Sequence, residues 1–139
     1  MMMVVKNYTF QGVEYMVCSR QAAYVPGPAA MELLADRRHG VGADRILLVD
    51  VEEPQSMQVF TANGSACAAT AEDWRVFACF LRQAGMTATA AVFARALGDR
   101  ALVDLPVMMK EMSYFEAHVT TAFCRRLAAL DKETEILAC

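Results

Sequence analysis

The sequence predicts an α+β domain, in which a mixed or antiparallel sheet of short strands curls around one central buried helix and a C-terminal helix follows. Three observations lead there. Short apolar runs, alternating or continuous, are separated by glycine-containing turns, the pattern of hairpin-connected strands. One segment, Ala71 to Ala84, has helical periodicity yet is apolar almost all round, so protein must surround it. The chain has 139 residues, 56% of them hydrophobic, enough for one domain with a substantial core.

The elements follow in order. "VVKNYTF" and "VEYMVCS", on either side of Gln11-Gly12, read as two strands of a hairpin. "PAAMELLADRRHG" reads as a helix from Pro28, with Ala30, Leu33 and Leu34 at helical spacing and Gly40 placed to end it. "DRILLVDVE" is a strand whose nearly continuous apolar centre implies cover on both faces. "SMQVFTA" is another strand, stopped by the turn pair Asn63-Gly64. In the central helix Trp74, Phe77, Ala78 and Leu81 share one face, while Val76, Cys79 and Phe80 make the rest apolar; Gly85 ends it. "TATAAVFARAL" and "RALVDLPVM", joined at Gly98-Asp99, predict a further hairpin. "SYFEAHV" alternates like a strand, and the tail from 120 to 138 is helical, with Leu127 and Leu130 turned inward and a solvated charged face.

A formal charge of −3 and a pI near 5.3 provide no broad positive field, which argues against sequence-independent binding to nucleic acid or anionic membrane. No window approaches the roughly 20 apolar residues of a membrane span, and "MMMVVKNYTF" lacks a signal-peptide core, so a cytoplasmic protein is expected. The five cysteines form no C-x-x-C pair and the only imidazoles are His39 and His118, so neither a disulfide framework nor a metal site is expected, and no cofactor. The ten methionines suit adaptable core filling or an adaptable interaction surface. His39 reads as a surface histidine with no carboxylate-serine or metal constellation beside it.

Two stretches, "DRRHGVGADRILLV" (36–49) and "FTANGSACAATAEDWRVFACFL" (60–81), together resemble the amino-terminal half of diaminopimelate epimerase, of the cofactor-independent amino-acid racemase superfamily. The resemblance implies one of two quasi-symmetric halves, each a sheet around a central helix, with substrate between them and one cysteine from each half working at the α-carbon. It extends over residues 1–107 of a single 1–139 domain, with 113–119 as the strand that would close the half and no second half present. Asp36, Arg37, Gly40, Gly42 and Asp44 keep the family pattern best. Their expected work is structural: a tight helix-to-strand connection whose charged side chains satisfy backbone groups.

The chemistry departs from that family. Its catalytic tetrapeptide, Cys-Gly-Asn-Gly at the start of the central helix, corresponds to Thr70-Ala71-Glu72-Asp73, and the asparagine after its phenylalanine is Thr61. "GVE", Gly12-Val13-Glu14, stands where the family has glycine-asparagine-aspartate. A helix-start thiol has a lowered pKa and can act as a base; a threonine hydroxyl there stays protonated, and Glu72-Asp73 would repel a substrate carboxylate. Thr70-x-x-Asp73 is instead close to a capping box. Cys67, three residues earlier, is a weak candidate for a displaced nucleophile, although a cysteine in a small-residue loop is more often merely tolerated. Any surviving substrate contact is placed by the resemblance at Thr61, Asn63, Ala71 and Glu72.

The expectation is therefore an epimerase-like domain without catalytic activity, acting through binding or assembly. The face that would meet the second half would carry a homo-oligomer or protein partner. The alternative is an amino-acid isomerase, epimerase or racemase whose site is completed by a homodimer. A truncated gene product with no selected role is a third reading.

Overall fold

In a computed structural model the described residues are 3–22, 24–86 and 109–138, with side chains to residue 133. The expected hairpin at 87–97 and 100–108, and Cys139, lie outside the described residues. The chain runs β1 (Met3–Phe10), β2 (Val13–Ser19), α1 (Pro28–Ala35), β3 (Arg45–Val49), a 3-10 turn (Pro54–Ser56), β4 (Gln58–Thr61), β5 (Ala66–Cys67), α2 (Ala71–Gln83), β6 (Ser113–Val119) and α3 (Thr121–Ala138). This is the α+β class with a C-terminal helix. Among the described residues no helix is long and apolar enough to cross a membrane.

The strands form one mixed sheet in the order β5-β4-β3-β2-β1-β6. Gln11 and Gly12 both take positive φ (52° and 78°), the two-residue turn geometry that matches strand twist, and set Phe10 opposite Val13. β2 and β3 are parallel, which requires a crossover, and α1 supplies it. β6 lies antiparallel along β1, from Met3 opposite Val119 to Thr9 opposite Ser113.

Alternation distributes the core between two layers. On one face Val5, Met16, Ile46 and Leu48 pack with Met31 and Leu34 of α1 and with Cys124 and Leu127 of α3. On the other, Tyr8, Val17, Leu47, Val49 and Val59 pack with Val76, Phe77, Phe80 and Leu81 of α2. The apolar centre of β3 is thus covered on both sides, as its composition requires. Residues 76 to 81 of α2 are all buried, because Ala78 and Cys79, turned from the sheet, meet Met109 and Met112. A helix with no polar face over that stretch needs such enclosure. α2 ends as expected at Gly85: the Met86 N–H bonds the Leu81 carbonyl at 2.9 Å and the Gly85 N–H that of Arg82 at 3.1 Å, a Schellman motif.

α1 stops at Ala35, five residues before the expected Gly40. The reason is Asp36, whose Oδ1 accepts the backbone N–H groups of Arg38 (2.7 Å) and His39 (3.0 Å) and so competes with helical bonding. The following loop folds back over the helix end. The Val41 and Gly42 N–H groups both bond the Leu34 carbonyl, at 2.8 and 2.9 Å, and Ala43 bonds that of Ala35 at 3.1 Å. A Cβ on Gly40 would stand 2.0 Å from the Leu33 carbonyl oxygen, and Gly42 has φ +93°, so both positions require glycine. Asp44 completes the connection: its Oδ2 accepts the Glu14 N–H and its Oδ1 the Arg37 guanidinium, both at 2.9 Å. Beside that guanidinium its carboxyl is held below the usual carboxylate range. Asp36, Gly40, Gly42 and Asp44 thus do the structural work expected of them.

Candidate functional site

The segment from Thr61 to Asp73 builds the start of α2, where the resemblance places its chemistry. Thr61 ends β4 and its hydroxyl bonds Asn63 Oδ1, which also accepts the Ser65 N–H at 3.3 Å. Those bonds shape a three-residue turn, closed by the Gly64 N–H on the Thr61 carbonyl at 3.0 Å and by the Thr61 N–H on that of Ser65 at 2.9 Å. Asn63 is exposed and serves its own turn. β5 then carries Cys67 opposite Val59, half-buried against the α2 layer of the core.

Thr70 caps the helix. Its hydroxyl accepts the Asp73 N–H at 3.2 Å, while Asp73 Oδ2 accepts the Thr70 N–H at 2.8 Å. Both halves of the capping box are present. Ala71 is exposed, and Glu72 accepts from Arg75 Nη1 at 3.3 Å on the helix surface.

Asp73 is the centre of the arrangement and is fully buried. Arg45, first residue of β3, reaches it with Nε on Oδ1 at 2.8 Å and Nη2 on Oδ2 at 2.6 Å. This is a bidentate, charge-assisted pair with little exposure, and Asp73 holds the Arg45 guanidinium even more firmly protonated than usual. Tyr15, opposite Arg45 in the strand register, has its phenol pushed up first by burial and then by the carboxylates of Asp73 and Glu72. The expected repulsion of a substrate carboxylate by the acidic pair therefore needs correcting. Asp73 is neutralised by Arg45, and its carboxylate already occupies the helix start where an incoming anion would bind. Arg45 is the partner of Asp73 that the sequence did not point to; its one signal was a cation within "GADRILLV".

The structure gathers Thr70, Ala71, Glu72 and Cys67 around the start of α2 and sets Thr61 and Asn63 on the adjoining turn. Thr70 is committed to capping, and no cluster of three or more His, Cys, Asp or Glu side chains suited to a metal ion occurs among the described residues. Cys18, Cys79 and Cys124 are buried. Burial pushes the thiols of Cys18 and Cys79 up to about 12, the reverse of nucleophile activation. No protein-family model matches the chain, and no curated protein matches it in sequence.

Proposed function

We propose that this chain is a diaminopimelate-epimerase-like domain without catalytic activity, which works by binding or assembly as a homo-oligomer or with a protein partner. The observation that carries the proposal is Asp73. Its carboxylate fills the start of α2, ties down the Thr70 backbone and neutralises Arg45. A catalytic start of this helix would instead leave N–H groups open to a substrate carboxylate beside an ionisable thiol.

Support for association comes from β6, the terminal strand of the sheet among the described residues. Its Phe115 and Tyr114 are 50% and 41% exposed, and aromatic side chains on a sheet edge favour further pairing. The test is exchange of α-protons with deuterated solvent, followed by NMR, over a panel of amino acids that includes LL-diaminopimelate. No exchange is expected. Exchange that disappears in Cys67→Ala or Thr70→Ala would overturn the proposal in favour of a half-sized isomerase. A chain that sediments as a monomer at high concentration and captures no partner would overturn the assembly part.

A further inference from the structure

The two histidines of the chain lie far apart in sequence, yet both line one concavity of about 230 Å³. It opens where the loop after α1 meets the end of β6 and the beginning of α3. Val41, Val119 and Phe123 supply its apolar walls, and His39, His118 and Thr120 its polar groups. His39 is exposed, as expected of a surface histidine, and has one carboxylate beside it. Asp36 Oδ1 lies 3.4 Å from His39 Nδ1 and is itself anchored by the Arg38 and His39 N–H groups. A carboxylate on one imidazole nitrogen fixes the ring and leaves Nε2 for a ligand.

No carboxylate lines the concavity among the described residues, and Asp36, the acid behind His39, is engaged by two backbone N–H groups and the imidazole. At about 230 Å³ the concavity has room for a compact acid.

We infer that this concavity binds a small organic carboxylate. The anionic group lies between His39 and His118, and a short apolar or aromatic body lies against Val41 and Phe123. Two imidazoles provide hydrogen bonds that an anion strengthens, and the apolar wall rewards a ligand carrying more than charge. The site is remote from the α2 start, on the opposite layer of the sheet, and does not depend on whether that start is catalytic.

Benzoate is the probe, with benzamide as its neutral isostere and inorganic phosphate as an anion lacking the apolar body. The imidazole CH resonances of the full chain are followed by NMR during each titration. Benzoate is expected to shift both histidines with one common dissociation constant, at least about tenfold below those of benzamide and phosphate. His39→Gln and His118→Gln, both at exposed positions, are each expected to weaken benzoate about tenfold with an unchanged circular dichroism spectrum. Benzoate that moves neither histidine, or only one, would overturn the inference, as would equal affinity for benzamide or phosphate. Undiminished binding in both glutamine variants would do the same.

Discussion

Asp73→Ala should be among the most damaging single substitutions in the chain. The aspartate side chain is fully buried and accepts three hydrogen bonds: two from Arg45, at 2.8 and 2.6 Å, and one from the Thr70 N–H at 2.8 Å. Its removal leaves a guanidinium with only 23% side-chain exposure lacking its counter-ion, and an unpaired N–H at the helix start. Breaking a buried ion pair on one side costs about 3–5 kcal/mol, whereas loss of a capping hydroxyl costs about 1 kcal/mol. Against a total stability of about 5–15 kcal/mol the first is a large fraction and the second is not. Urea unfolding followed by the fluorescence of Trp74, next to Asp73 on α2, measures both. Asp73→Ala should lower stability by about 3–5 kcal/mol and Thr70→Ala by about 1 kcal/mol. The double variant Arg45→Met/Asp73→Ala should be less destabilised than the sum of its single changes, because the orphaned charge is gone. An Asp73→Ala loss no larger than that of Thr70→Ala, or strict additivity in the cycle, would refute the role given to the pair.

Three further outcomes are expected. The thiols of Cys18 and Cys79 keep their protons in the folded chain up to about pH 12 but lose them near 9 when unfolded, so above about pH 9 the folded state binds more protons and stability falls as pH rises. Urea midpoints should decline between about pH 9 and 11, with a shallower slope in Cys18→Ala/Cys79→Ala, and an unchanged slope would count against it. Asp131 on α3 accepts the N–H groups of Gly27 (2.9 Å) and Ala30 (3.2 Å) and the Tyr24 hydroxyl (2.5 Å), capping α1 from another helix; Asp131→Ala should cost about 2–3 kcal/mol in thermal unfolding, while a loss below about 0.5 kcal/mol would refute the cap. Gly64 has φ +82°, and a Cβ there would meet the Pro28 carbonyl oxygen at 2.3 Å, so Gly64→Ala should destabilise by about 1–3 kcal/mol, and a neutral result in calorimetry would show that the turn relaxes freely.

What could be read from the residue order was what neighbouring residues decide. The β1–β2 hairpin, the enclosure of α2 and its capping box depend on side chains within a few positions of one another, so periodicity and turn chemistry reveal them. Even the early end of α1 is local in cause, since Asp36 competes for the N–H groups two and three residues on, but the sequence pattern made Gly40 the more visible stop.

The sequence by itself determined the α+β class, the buried character of α2 and the capping box at Thr70, because each follows from local propensity and apolar pattern. Only the tertiary structure decided that β2 and β3 run parallel beneath α1, that Arg45 neutralises Asp73 28 residues away, that Asp131 caps a helix more than 100 residues before it, and that His39 and His118 share a concavity. Periodicity shows that a residue is buried but not which partner meets it. Choosing among distant charges takes the packing of two helical layers on one sheet.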